Sequence, residues 1–135
     1  MLQPYTPEIR FADIDAMGHV NNAVYLSYFE QARIHFFSQI IMLNWDWRKQ
    51  GILVARNEIN YKLPVYHKDH IVVLVGCSAV GSKSFTLSYE VKRGEEVCSY
   101  GSSVLVCFDH ETQQSAVIPD LWREKLLLIR STAAQ

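Results

Sequence analysis

The 135-residue chain contains no Lys/Arg-rich run, and its formal net charge is only -1. Binding a nucleic-acid duplex needs a basic stripe to neutralise phosphates, so nucleic acid is not an expected partner. No apolar stretch approaches the roughly 20 residues that span a bilayer. The opening MLQPYTPEIRF also lacks the basic-then-apolar layout of a secretory signal, so a cytoplasmic protein is expected. Cysteine is scarce: Cys77, Cys98 and Cys107 are odd in number, form no CxxC pair and fall in apolar, strand-like runs. That pattern argues against a disulfide framework or a zinc site and for small buried hydrophobes. There is no Gly-rich phosphate loop, no repeat and no low-complexity segment. What remains, 49% apolar and 20% charged residues, is the composition of one globular domain over residues 1–135.

The order of elements follows from periodicity. Residues 8–12 read as a short opening strand. A polar loop, DIDAMGHVNN, then precedes Tyr25, Phe29, Ala32, Phe36 and Ile40 at helical spacing, with Leu26, Phe37 and Ile41 widening the stripe. Ser27, Gln31, His35, Ser38 and Gln39 form the polar side, and Asn21 or Asn22 is placed to cap the helix. From Gly51 the period changes. ILVARNEINYKL and HIVVLVGCSAV are β-branched and apolar, and SFTLSYEVKR alternates with Phe85, Leu87, Tyr89 and Val91 on one face. Turns at Gly81 and Ser82 and at Arg93, Gly94 and Glu95 join neighbours into an antiparallel meander that VCSYGSSVLVCF extends. Pro119 and Asp120 then open a short terminal helix. The expected class is α+β, one helix against an antiparallel sheet of about five strands.

The loop ahead of the helix gathers Asp13, Asp15, Gly18, His19, Asn21 and Asn22. A helix start offers backbone N–H groups without partners at the positive end of the dipole, which suits a developing oxyanion. A carboxylate held nearby can attack a carbonyl or activate water. Gly18 is placed to fold the loop back so that Asp15 reaches the helix start. Asp and Asn are equally at home bracing turns, and residue types and spacing alone favour that bracing role for Asp13 and Asp15. Other constellations are weaker. GCSAV lacks the second glycine of a nucleophile elbow. His67 and His70 have one acid between them, Asp69, and read as surface. Glu30 and Arg33 suggest an i,i+3 ion pair, and Glu58 is a strand carboxylate among apolar neighbours.

The run RFADIDAMGHVNNAVYLSYFEQARIHFF, residues 10–37, resembles the acyl-CoA thioesterases of the 4-hydroxybenzoyl-CoA thioesterase family. The likeness extends through INYKLPVYHKDHIVV and GSKSFTLSYEV to IPDLWREKL, nearly the whole chain. It implies the hotdog fold, an antiparallel sheet wrapped around one long central helix with a short C-terminal helix. It further implies hydrolysis of an acyl-CoA to free acid and CoA without a metal or other cofactor, coenzyme A being part of the substrate. Asp15 takes the position of the family's catalytic carboxylate, as nucleophile or as base for water, and the backbone N–H of Asn22 takes that of the oxyanion donor.

By this resemblance Gly18 and His19 line the same loop, Tyr25 follows on the first turn of the helix, and all three are candidate substrate contacts. Some relatives carry a histidine at the position of Asn22, which cannot shuttle a proton. Any acid role then passes to His19 or to water. Glu30 and Glu58 rank behind Asp15 as carboxylates. Lys62, Lys83, Arg56 and Arg93 are candidate cations for CoA phosphates, and Ser84 is a candidate neighbour of the thioester arm. The family works as homodimers or homotetramers, with the active site at the subunit interface. Acyl-carrier-protein thioesters stay open as substrates. Two rival functions remain: a non-catalytic acyl-thioester binder, and a hotdog hydratase/dehydratase, whose Asp…His pattern is not found here.

Overall fold

The computed structural model describes residues 3–41 and 45–133, the last three of these by backbone alone. A 3₁₀ turn (Phe11–Asp13) precedes helix α1 (Val24–Ile40). Strands β1 (Gln50–Tyr61), β2 (Val72–Val80), β3 (Ser84–Arg93) and β4 (Glu96–Asp109) follow, then the two-residue β5 (Gln114–Ser115) and helix α2 (Asp120–Ala133). The strands hydrogen-bond in the order β1-β4-β3-β2, with β5 on β4. The β2–β3 and β3–β4 connections are too short for anything but antiparallel hairpins, and Gly94 turns the second with φ +62°, a conformation that suits a residue without Cβ. This is the α+β hotdog architecture, an antiparallel sheet wrapped around one long helix.

The opening strand expected over residues 8–12 does not form. Arg10 and Asp13 cap each other across the 3₁₀ turn, and the local bonds win over an alternation that would have left Phe11 facing a sheet; its side chain is instead exposed. Only isolated bridges occur there, Tyr5 with Val73 and Ile14 with Val20. The terminal helix runs longer than the sequence suggests, and Pro119 sits one residue before it, its carbonyl accepting the Arg123 N–H at 2.9 Å.

The chain sorts into two compact units. Unit 1 comprises Met1–Phe37, Ile59–Val75 and Tyr89–Gly101. Its core is the inner face of α1, with Tyr25, Tyr28, Phe29, Ala32 and Phe36 buried as their spacing requires. Phe29 stacks on Tyr89 of β3 with ring centroids 4.3 Å apart, which fixes the helix against the sheet. Arg33 does not pair with Glu30. It is buried and donates to the Tyr89 hydroxyl at 3.3 Å, while Glu30 is exposed.

Unit 2 comprises Ser38–Glu58, Gly76–Ser88 and Ser102–Gln135. Phe85, Leu87, Leu105, Ile118 and Leu126 are buried there beside Trp122, whose ring meets Trp45 at 4.8 Å and Trp47 at 5.5 Å. All three cysteines are free and buried, as expected from their apolar surroundings.

Candidate active site

The polar loop is a tight hairpin built from its own backbone. The Gly18 N–H donates to the Asp15 carbonyl and the Asp15 N–H to the His19 carbonyl, both at 3.0 Å. Gly18 has φ +89°, a conformation that strains any residue with a side chain, so this glycine is what allows the chain to reverse. The Val20 N–H then reaches the Val65 carbonyl at 2.8 Å, and the Asn21 N–H reaches the Asp13 carbonyl at 2.9 Å.

Two aspartates, two residues apart, have opposite surroundings. Asp13 is buried and accepts the Tyr28 hydroxyl at 2.9 Å, the Arg10 N–H at 3.0 Å and the Arg10 guanidinium at 3.1 Å. Burial pushes its carboxyl up, but the Arg10 N–H, the Tyr28 hydroxyl and the Arg10 side chain together outweigh it and hold it below the usual range. It braces the loop. Asp15 is part-exposed; its carboxylate accepts the Met17 N–H at 2.9 Å and lies 3.9 Å from Nδ1 of His19, beyond direct hydrogen bonding. A carboxylate with lone pairs to spare beside open space is able to attack or to take a proton.

The helix start leaves backbone donors over, among them that of Asn22. Asn21, not Asn22, does the capping: its side-chain oxygen accepts the Ala23 N–H at 2.9 Å, and its carbonyl accepts the Val24 N–H at 3.0 Å. With the Asn21 N–H on Asp13, the Asn22 N–H is the one backbone donor from Asn21 to Val24 without an acceptor among the described residues. A cleft of about 390 Å³ is lined by Asp15, His19, Val20, Asn22, Tyr25 and the segment from Tyr61 to Pro64, all within unit 1. Tyr25 is buried beneath it, its phenol pushed up to about 12 chiefly by desolvation.

The remaining sequence candidates divide. Lys62 lines this cleft. Lys83, Ser84 and Glu58 belong to unit 2, where exposed Glu58 pairs with Arg56 at 3.1 Å. Arg93 is not an available cation: it donates to Asp69 at 2.7 Å and to the Pro64 carbonyl at 3.0 Å, and reaches Glu96 at 3.4 Å. Tyr61, which sequence reasoning passed over, lines the cleft and donates to the Asn22 carbonyl at 2.8 Å. Nothing local marks it, because its partner lies 39 residues away.

A model of the thioesterase-like superfamily matches residues 9–126. The protein YsmA of Bacillus subtilis (strain 168) is 32% identical over 123 residues, covering 90% of this chain and 83% of its own. The long-chain acyl-CoA thioesterase FadM of Escherichia coli (strain K12) is 29% identical over 122 residues, covering 88% of this chain and 92% of its own. Among solved structures, a thioesterase complexed with coenzyme A and Zn from Thermus thermophilus is 34% identical, with a TM-score of 0.81 over 95% of this chain and 93% of that one. The element order, the sheet and the match over most of the chain agree, and this protein belongs to the thioesterase-like superfamily of hotdog-fold enzymes.

Proposed function

We propose that the protein hydrolyses acyl-CoA thioesters, with Asp15 as the reacting carboxylate and the Asn22 N–H as the donor to the thioester carbonyl oxygen. The observation that carries this reading is that Asp15 and Asn22, whose N–H has no acceptor among the described residues, line one cleft. A thioester carbonyl seated there accepts from Asn22, and its carbon becomes more electrophilic. In one route Asp15 attacks that carbon, the C–S bond breaks, and water then cleaves the mixed anhydride to release the acid and restore the carboxylate. In the other Asp15 takes a proton from water, the resulting hydroxide attacks, and the proton passes to the departing thiolate. Gly18 shapes the loop, Tyr25 and His19 wall the cleft, and Lys62 offers a cation to the CoA end of the substrate. The likeness to a long-chain acyl-CoA thioesterase and to a coenzyme A-bound thioesterase supports CoA as the carrier.

The reading includes a homodimer or higher assembly. Strand β1 is a sheet edge whose residues 53–58 are exposed on both faces, Leu53 and Val54 among them. A long, partly apolar edge of this kind is a template for pairing with a second copy. Lys83, Ser84 and Glu58 enter the proposal as substrate contacts through such an assembly.

The test is thiol release from short, long and aromatic acyl-CoAs by wild type and Asp15→Asn side by side. The substitution keeps size and removes the charge, so turnover is expected to fall by about a thousandfold or more while substrate still binds. Equal turnover in both proteins would remove Asp15 from the chemistry.

A further inference from the structure

We infer that Tyr61 is a positioning residue for this site: its hydroxyl, by donating to the Asn22 carbonyl, holds residue 22 in the orientation that turns its free N–H into the cleft. The inference rests on the thioesterase reading above and deepens it.

Three bonds surround Asn22. On one side the Asn21 carbonyl is held by the Val24 N–H. On the other, the peptide joining Asn22 to Ala23 is held at both ends, its N–H by the Asn21 side chain and its carbonyl by Tyr61. No other donor to that carbonyl occurs among the described residues, because Leu26 at the first turn of α1 bonds Ala23 instead. Without the phenol, the Asn22 carbonyl loses its donor, and residue 22 is held only by the Val24 bond to the Asn21 carbonyl and the Ala23 bond to the Asn21 side chain. Its N–H is then less firmly fixed at the point where charge develops, and oxyanion stabilisation depends on donors that need no reorganisation during the reaction.

The phenol itself is well anchored. Tyr61 ends β1, and the next two N–H groups, of Lys62 and Leu63, both donate to the Cys98 carbonyl at 2.9 and 3.0 Å. Its ring stands edge-on to Tyr25 at 5.1 Å, an aromatic contact that fixes the side-chain torsion. A phenol of ordinary acidity, about 10, already keeps its proton in the neutral range, and partial burial raises that of Tyr61 further. A bond that served stability alone would need none of this alignment with the last residue of the loop, whose N–H has no acceptor among the described residues.

The experiment compares wild type, Tyr61→Phe, Asp15→Asn and a control, Tyr100→Phe, on the best acyl-CoA of the panel, with thermal melting of each. Tyr100 is an exposed tyrosine of β4 outside the cleft. Tyr61→Phe deletes one oxygen atom and leaves the ring contact with Tyr25 in place. The expected result is a fall in kcat of about tenfold with KM within about twofold, the pattern of an interaction felt mainly in the transition state. Tyr100→Phe should match wild type. A Tyr61→Phe enzyme with wild-type kcat beside an inactive Asp15→Asn would overturn the inference and spare the thioesterase reading. So would an unchanged kcat with a raised KM, which would make Tyr61 a substrate contact. A wild-type protein that releases no thiol from any acyl-CoA would overturn both.

Discussion

Unit 1 buries a carboxylate, a guanidinium and three phenols beside its apolar side chains, whereas the described residues of unit 2 bury no charged group or phenol, only apolar side chains, thiols, an indole and the Ser103 hydroxyl. Asp13, Arg33, Tyr25, Tyr28 and Tyr89 are the polar members of the first set; Leu87, Leu105, Leu126, Cys77, Cys107 and Trp122 typify the second. Burying a charge is costly unless it is fully bonded. Unit 1 meets that cost for Asp13 with three sets of donors, and the return is a loop of fixed shape two residues from Asp15. Unit 2 has openings too, one of about 540 Å³ lined by Trp45, Asp46, Trp47 and Arg48. Size therefore does not choose the site. The proposed site rests on the pairing of a carboxylate with a spare backbone donor, in the unit that buries charged side chains. In unit 2 burial instead keeps thiols protonated, Cys107 being pushed up to about 11, so a thiolate nucleophile there is not available at neutral pH.

The largest expected effect tests whether the division holds. Trp122→Ala removes the centre of the tryptophan cluster and should cost about 3–5 kcal/mol of stability, as truncations of large buried aromatics do. Measured by urea unfolding, that loss should come without a matching loss of chemistry. Assayed well below its melting temperature, the folded variant should keep kcat within about threefold of wild type. A folded Trp122→Ala protein with kcat down by about a hundredfold would break the comparison.

Much of the fold is legible in the sequence, though unevenly, while the division into two units is not. The alternation in SFTLSYEVKR gave β3 with its buried face correct at Phe85, Leu87, Tyr89 and Val91, because sheet burial has a period of two that a sequence displays directly. The α1 stripe was equally plain for the same kind of reason. Asp15 and Asn22 stood out through the loop's motif and its family resemblance. The failures share a cause. Arg33 finds Tyr89 56 residues away, and Tyr61 finds Asn22 39 residues away, while the obvious neighbour Glu30 is left in solvent. Arg93 looked like a free cation because Asp69 and the Pro64 carbonyl, 24 and 29 residues off, are not visible as neighbours in the sequence. Side-chain bonds across the fold leave no periodic trace. The lost opening strand is the local counterpart, since the reciprocal Arg10 and Asp13 bonds need only three residues to override a weak alternation.

A smaller effect sharpens the polar half. Tyr28→Phe removes the hydroxyl from Asp13 and should cost about 1.5–3 kcal/mol at pH 7, the range for a hydrogen bond to a charged group. Its pH dependence has a definite sign. The folded Asp13 carboxyl lies below its unfolded value of about 3.9. The stability it contributes is thus fully present above that pH and is lost as pH falls through the folded value. Without Tyr28 the folded value rises, so the acid-unfolding midpoint followed by circular dichroism should move up, and the gap between variant and wild type should close below about pH 4. A gap that stayed constant down to pH 2 would mean that Tyr28 contributes packing and not its bond to Asp13.

The smallest effect separates two adjacent asparagines that the sequence could not rank. Asn21 caps the Ala23 N–H with its side chain, whereas Asn22 is exposed and its side chain makes no hydrogen bond among the described residues. Asn21→Ala should therefore cost about 1 kcal/mol, as cap removals do, while Asn22→Ala should stay within about 0.5 kcal/mol of wild type. The pair also bears on the chemistry, because capping by Asn21 is what consumes the Ala23 N–H and leaves the Asn22 N–H as the spare donor. In Asn21→Ala the Ala23 N–H is released beside it, and a thioester oxygen then has two neighbouring, loosely aimed donors in place of one fixed donor. Its kcat should fall further than that of Asn22→Ala, whose backbone donor and whose bond from Tyr61 both survive. The reverse order, with Asn22→Ala the worse catalyst, would shift the role at that position from the backbone to the side-chain amide.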